Sequence, residues 1–251
     1  MIISSIKTAN VTVRECPHTA ANFVCSMPYQ DEIHVWHALT AVHQLDVDTD
    51  GLLSRDEQAR MMRFRFDNDR NNFLFCRSML RMLLASYLGT SPAELRFAYS
   101  AHGKPSLAEP SGNLQFNLSH SGGAVLFAFC TERRIGVDVE RVRRDLNVQE
   151  IAGRFFSDAE NRALRQCPDA HEAFFRCWTR KEAFVKARGE GLSCPLETFD
   201  VSVADEEEQV SLTTRPDPSE AEGWQLWSLN SFPGCAAAVA VESGKSGGTQ
   251  F

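Results

Sequence analysis

Apolar and acidic positions alternate in Ile135-Gly136-Val137-Asp138-Val139-Glu140, the period-two signature of a strand. Successive strand side chains point to opposite faces, so Asp138 and Glu140 share one face and Val137 and Val139 the other. Upstream, Ile33–Ala38 alternates in the same way, while residues 1–30 show no sustained period and read as an arm or edge strand. Ser54 and Glu57 have capping-box spacing, which predicts a helix through about Phe66. Phe73, Cys76, Leu80, Leu83, Leu84 and Leu88 recur at three-to-four spacing and predict a second helix from about Asp69 to Leu88, with Gly89 placed as its C-terminal cap. Strands are expected at Leu95–Tyr99, Leu114–Leu118 and Ala124–Cys130. Between them fall a Gly103-Lys104-Pro105 loop and a turn from Ser119 through His120 to Gly123, and Thr131–Arg134 reads as a linker.

The same order of elements returns in the second half. Ile33 and Ile135 are 102 positions apart, as are Gly89 and Gly191, and as are Leu95-Arg96-Phe97 and Glu197-Thr198-Phe199. The Ser54/Glu57 box recurs at Ser157/Glu160, shifted by 103, and Ala124–Phe129 has a counterpart in Ala236–Val241. This succession predicts a tandem duplication of about 100 residues, two similar α+β halves with a cleft between them, spanning 1–131 and 135–251. The copies differ in their acids. At the 102-residue offset Asp138, Glu140 and Glu182 face Trp36, Ala38 and Leu80. Acids present in only one copy suit a single metal site, and Mg²⁺, usually held by carboxylates together with substrate phosphates, is the candidate ion. Two solvated acids at a strand edge are the plain alternative.

Composition narrows the class. The 251 residues include 43% apolar residues and 17 Phe, enough for a substantial core, and a net charge of −7 argues against a general nucleic-acid binder. Eight cysteines without a CxxC pair read as reduced, buried thiols. Met1–Lys7 lacks a signal-peptide core, and the apolar runs are far shorter than the about 18 residues of a membrane span, so a cytoplasmic protein without membrane attachment is expected.

The segment Phe174–Lys186 carries strong helix formers with no breaker before Gly189. It places Trp178, Glu182 and Lys186 along one face. Glu182 beside Lys181 and Lys186 suits a metal-binding carboxylate next to phosphate-binding ammonium groups, although Glu182 and Lys186 alone form an ordinary i,i+4 pair. His120 among small residues, and Lys104 on its turn, are compatible with an anion but weak in isolation.

Gly103-Lys104-Pro105, Phe116-Asn117-Leu118-Ser119-His120-Ser121, Ile135–Glu140, Phe155-Phe156-Ser157-x-x-Glu160 and Trp178-x-x-Lys181-Glu182-x-x-x-Lys186 occur together and in order. Over about residues 52–200 this set resembles the surfactin-synthetase-activating (Sfp) type of 4′-phosphopantetheinyl transferase. The resemblance implies two pseudo-symmetric halves, each a small, mainly antiparallel sheet packed with a long helix, with coenzyme A in the cleft and its nucleotide on the side of the first half. It implies a Mg²⁺-dependent reaction in which a serine of an apo acyl or peptidyl carrier protein takes the phosphopantetheine arm and 3′,5′-ADP is released. By the same carry-over, Asp138, Glu140 and Glu182 hold Mg²⁺. Glu182, or a water on the metal, takes the serine proton, with Lys186 and His120 on the coenzyme A phosphates. Lys104, Pro105 and Ser119 line the nucleotide site, and Asp138 also borders the coenzyme. Arg60 aligns with a family lysine that binds the 3′-phosphate, with Arg70 and Arg77 as further candidates, and Glu160 is either catalytic or a helix cap. A self-sufficient monomer is expected.

Two other readings stand beside this one. Asp46-Val47-Asp48-Thr49-Asp50-Gly51, followed by Glu57, matches a calcium loop. The same acids could also serve a Mg²⁺-dependent phosphohydrolase.

Overall fold

The computed structural model describes residues 7–8, 11–17, 24–29, 31–40, 51–110, 112–191, 194–203, 209–229 and 232–244. Twelve strands and five α-helices are found among them. In the first half these are β1 (Lys7–Thr8), β2 (Val11–Glu15), β3 (Ile33–Leu39), α1 (Arg55–Met61), α2 (Asp67–Leu88), β4 (Arg96–Tyr99), β5 (Pro105–Glu109), β6 (Leu114–Ser121) and β7 (Ala124–Thr131). The second half has β8 (Ile135–Arg141), α3 (Val148–Phe155), α4 (Asp158–Gln166), α5 (Ala170–Arg188), β9 (Phe199–Val201), β10 (Leu212–Thr214), β11 (Trp224–Ser228) and β12 (Cys235–Glu242).

Strand order expresses the duplication. The five-stranded sheet runs β1-β2-β3-β7-β6 and the three-stranded sheet β11-β12-β8, beside the two-stranded pairs β4-β5 and β9-β10, so the antiparallel trio β3-β7-β6 has its equivalent in β8-β12-β11. The arm forms β1 and β2, and β2 pairs in parallel with β3, the exception in an otherwise antiparallel fold. The long helix α2 packs its Leu80, Leu83 and Leu84 with Phe116, Phe127 and Phe129 of the first sheet. The long helix α5 packs Phe174, Ala183 and Phe184 with Leu226, Ala238 and Ala240 of the second. The other faces, including Ile33, Val35, Leu126, Val137, Val139 and Val239, join in one core shared by both sheets. Burial on both faces accounts for the unbroken apolar run of β7, which alternation alone would not produce.

Both capping boxes form, at Ser54/Glu57 and Ser157/Glu160, and each acid also makes a buried ion pair with the following long helix. Glu57 lies 2.7 Å from Arg81, and Glu160 lies 2.7 Å from Lys181. Glu160 also accepts from the amides of Ser157 and Val201, both at 2.9 Å, so its carboxylate is saturated by structural partners. It joins α4, α5 and β9.

Several boundaries differ from expectation. Helix α1 ends at Met61, not near Phe66, and α2 begins two residues early, at Asp67. Gly189, not Gly191, closes α5 in the left-handed conformation, as Gly89 closes α2. The helices are therefore offset by 100, and Glu182 corresponds to the buried Met82 instead of Leu80, which preserves the asymmetry in acids. β6 runs on through Ser119, His120 and Ser121 because that segment pairs with Ala124–Leu126 of β7, leaving Gly122-Gly123 as the whole turn. Thr131–Arg134 is a tight connection, with Glu132 at a φ of 64° and its amide on the Asn113 carbonyl at 2.7 Å.

Of the calcium-loop reading, Asp46, Asp48 and Asp50 lie outside the described residues. β3 stands where an entering helix would be needed, and Glu57 is engaged by Ser54 and Arg81. Among the described residues no helix is long and apolar enough to cross a membrane.

Candidate active site

β8 and α5 supply the centre of the site, and Gly136 sets their separation. A Cβ at Gly136 would overlap the Ala183 carbonyl oxygen and the Ala187 amide nitrogen, so the helix backbone rests directly on the strand. One turn along α5, Lys186 reaches Asp138, with Nζ 2.6 Å from Oδ1. Lys186 also donates to Ser119 Oγ at 2.9 Å, and Ser119 donates to the same Asp138 oxygen at 2.8 Å. Asp138 is 2% exposed, and its other oxygen, Oδ2, is buried without a hydrogen-bond partner. The corresponding position in the first half is Trp36, whose indole donates to Tyr87 on α2 at 2.8 Å. At this strand position one copy thus carries an aromatic side chain and the other a charged one.

Glu140 follows Asp138 on the same strand face, and its Oε2 accepts from Ser121 Oγ at 2.6 Å. Burial pushes the Glu140 carboxyl above the usual range and the Asp138 charge adds to this, against the lowering effects of Ser121 and Lys186. Glu182 is raised too, by burial first, then by Asp138 and, more weakly, Glu140, with Lys186 opposing. Among the described residues, no group of three or more His, Cys, Asp or Glu side chains is gathered as a ready-made metal cluster. The donor set nevertheless suits a hard divalent cation: Glu182 lies within range of the charges of Asp138 and Glu140, and one buried carboxylate oxygen lacks a partner.

Beside this centre lies a cavity of about 310 Å³, lined among others by Arg60, Phe73, Arg77, Gly103, Pro105 and His120. His120 is lowered in pKa by the surrounding protein and then by the Lys186 charge, which ties the cavity to the acidic centre. Arg77 is 6% exposed and stacks with its guanidinium carbon 5.3 Å from the Phe97 ring centroid and 5.7 Å from that of Tyr99. It donates to the Tyr99 hydroxyl at 2.7 Å and faces Glu57 at 3.5 Å, while Nη1 is buried without a partner. Arg60 is exposed on α1. Arg70 pairs with Asp67 and is not in the cavity wall.

Asp138, Lys186 and Ser119 are therefore joined by contacts, with Glu140 next along the strand face and Glu182 and His120 within range of their charges, and Arg60, Pro105 and His120 share one cavity. Lys104 is placed differently. Its ammonium donates to the carbonyls of Ile135 at 2.9 Å and Lys186 at 2.6 Å, clamping the β4–β5 hairpin to β8 and α5. Lys181 is fully buried, donating to Leu196 and Phe199 carbonyls as well as to Glu160, and Trp178 packs with Phe155, Phe156 and Phe174. Tyr99 escaped the reading of the sequence because its role depends on a partner 22 positions away. Ser121, singled out only as the last residue of the Phe116–Ser121 motif, ends the polar alternation Gln115-x-Asn117-x-Ser119-x-Ser121.

A family model described as the 4′-phosphopantetheinyl transferase superfamily matches residues 134–240, and one described as 4′-phosphopantetheinyl transferase, N-terminal, matches residues 36–132. The chain is 38% identical over 216 residues to the 4′-phosphopantetheinyl transferase HetI of Nostoc sp., covering 84% of this chain and 88% of that protein. It is 31% identical over 151 residues to the 4′-phosphopantetheinyl transferase Sfp of Bacillus subtilis, covering 59% and 66%. To the L-aminoadipate-semialdehyde dehydrogenase-phosphopantetheinyl transferase of Rattus norvegicus it is 30% identical over 202 residues, covering 72% and 64%.

Proposed function

This chain belongs to the 4′-phosphopantetheinyl transferase superfamily and is a transferase, and we propose that it moves the phosphopantetheine arm of coenzyme A to a serine of an apo acyl or peptidyl carrier protein. The observation that carries the site assignment is the contact between Lys186 and Asp138 at 2.6 Å, with Glu140 and Glu182 electrostatically coupled beside it and an arginine-lined cavity opening alongside.

In this reading Arg60, Arg77 and His120 bind the phosphorylated nucleotide end of coenzyme A, with Pro105 forming part of the wall. Arg77 is held rigid by its aromatic neighbours and has a donor to spare, as a pre-organised anion contact requires. Asp138, Glu140 and Glu182 would hold Mg²⁺, which when bound would neutralise charge on the phosphates of coenzyme A. Lys186, oriented by Ser119 and Asp138, supplies a cation for the coenzyme A phosphates. Glu182 takes the proton of the attacking serine hydroxyl. The serine oxygen forms a bond to the phosphorus that carries the pantetheine, the pyrophosphate bond breaks, and 3′,5′-ADP leaves. Lys104 acts from behind, holding the hairpin that bears Pro105. Residues 1–131 form the nucleotide side and 135–251 the metal and carrier side. The enzyme works in the cytoplasm and as a monomer, the latter supported by the presence of both kinds of half in one chain.

The test is mass spectrometry of apo carrier proteins mixed with this protein, coenzyme A and Mg²⁺. Addition of one phosphopantetheine at the carrier serine is expected, and no added mass on any of several carriers would overturn the reading. Coenzyme A without a carrier should stay intact, whereas a phosphohydrolase would cleave it.

A further inference from the structure

Strands β6 and β8 are edge strands of different sheets, and no backbone ladder joins them among the described residues. Side chains do so instead. Asn117 Oδ1 accepts from the Val137 amide at 2.9 Å, Ser119 Oγ donates to Asp138 at 2.8 Å, and Ser121 Oγ donates to Glu140 Oε2 at 2.6 Å. Three alternate residues of one strand thus meet three successive features of the other, and two of the three contacts end on a carboxylate of the site. Ser121 Oγ also accepts from the Arg141 amide at 3.3 Å, so the hydroxyl is held from both sides.

The turn after Ser121 is shaped for this approach. Gly122 adopts a φ of 56°, and a Cβ there would collide with the Arg141 side chain. A glycine therefore lets the end of β8 lie against the turn, which brings Glu140 within reach of Ser121. A serine in a Ser-Gly-Gly turn most often bonds to its own turn, yet this one is spent on β8. The bond engages one oxygen of Glu140 and restrains a flexible side chain that otherwise has several rotamers.

We propose that Ser121 is a positioning residue: it orients Glu140 as a ligand for the divalent cation, the outermost of three β6 side chains that align the carboxylate face of β8. This rests on the reading that Glu140 binds the metal. Hydrogen-bonded partners of metal ligands commonly account for about 10–100-fold in metal affinity.

The experiment measures Mn²⁺ binding directly, by the loss of free-ion electron paramagnetic resonance signal, on the full-length protein and on Ser121→Ala, Ser121→Thr and Glu140→Ala. Thermal unfolding of each variant checks that it is folded. Ser121→Ala is expected to weaken Mn²⁺ binding about tenfold and to raise the Mg²⁺ concentration for half-maximal transfer, with kcat at saturating Mg²⁺ little changed. Ser121→Thr, which keeps the hydroxyl, is expected to restore both, and a structural effect on the turn alone would not produce this pattern. Should Ser121→Ala unfold, Ser121→Cys carries the same comparison with a similar shape and a poor donor. Wild-type Mn²⁺ affinity in Ser121→Ala together with its loss in Glu140→Ala would overturn the role of Ser121 and leave the metal reading standing. Unchanged affinity in Glu140→Ala would remove Glu140 as a ligand and the proposal with it.

Discussion

Gly136 lies against the Ala183 carbonyl so closely that no side chain fits between them. The strand and helix that carry Asp138 and Lys186 are therefore in backbone contact one residue pair away from the charged contact itself. Gly136→Ala must push α5 off β8. A stability loss of about 3 kcal/mol is expected from overpacking against unyielding backbone, along with loss of transfer activity as Lys186 moves from Asp138. Chemical denaturation and a steady-state assay check both effects. A Gly136→Ala protein with wild-type stability would show that the helix can shift freely.

Neighbouring residues on α5 should behave in opposite ways. Glu182 is half-buried and faces the other acids, whereas Lys181 is fully buried against Glu160. Glu182→Gln is expected to lower kcat at least about 100-fold while leaving the melting temperature near wild type. Lys181→Met leaves Glu160 buried without its cation and should cost about 3–5 kcal/mol. Melting curves and transfer rates of the two variants, taken together, separate the chemistry from the scaffold.

Arg60 offers a test of the cavity with little structural penalty, since it is exposed on α1 and stacks only loosely on Phe73, 5.7 Å from the ring centroid. Arg60→Ala should raise the KM for coenzyme A about tenfold, the value of one charge-assisted hydrogen bond. The KM for the carrier protein should not change. If Arg60 meets the 3′-phosphate, the variant should also lose most of its preference for coenzyme A over dephospho-coenzyme A.

Acid should destabilise the first half through His34. This residue is 3% exposed, its Nδ1 lies 2.8 Å from the Tyr87 hydroxyl, and burial followed by the Arg14 charge lowers its pKa to about 4. The unfolded chain binds a proton to this imidazole near pH 6.5 and the folded chain only near 4, so the unfolded state holds more protons between those values. Stability is lost progressively as pH falls through that window, by up to about 3 kcal/mol. His34→Gln should flatten this part of the pH–stability curve, as urea melts at pH 7, 5.5 and 4.5 would reveal.

Much of the scaffold could be read from local rules. The capping boxes at Ser54 and Ser157 and the apolar stripe of α2 depend on neighbours three or four positions apart, and they form as expected. The carboxylate face of β8 follows from strand alternation. Other features depend on pairing across the chain. Ser119–Gly123 has the composition of a turn, but pairing with β7 makes most of it strand and places His120 on a sheet. Subtraction at a fixed offset selected Gly191 over Gly189 because the two copies differ in length by two residues between β8 and the end of α5. The direction of the Lys104 ammonium could not be read at all, since its acceptors are carbonyls 31 and 82 positions away. Arg77 sits within a buried helix stripe, where an arginine ordinarily reads as a snorkelling surface residue, and only the ring packing around it reveals a fixed cation.

The ion pairs Glu57–Arg81 and Glu160–Lys181 occupy equivalent joints, each tying a capped short helix to the long helix after it. Their consequence is one of inheritance. When the frame of each copy is secured by its own internal rivet, the residues facing the cleft are released from any duty to the fold. A duplicated gene can then carry Trp36 in one copy and Asp138 at the equivalent strand position of the other without either copy forgetting how to fold. Division of labour between the halves then rests on a few side chains that face the cleft.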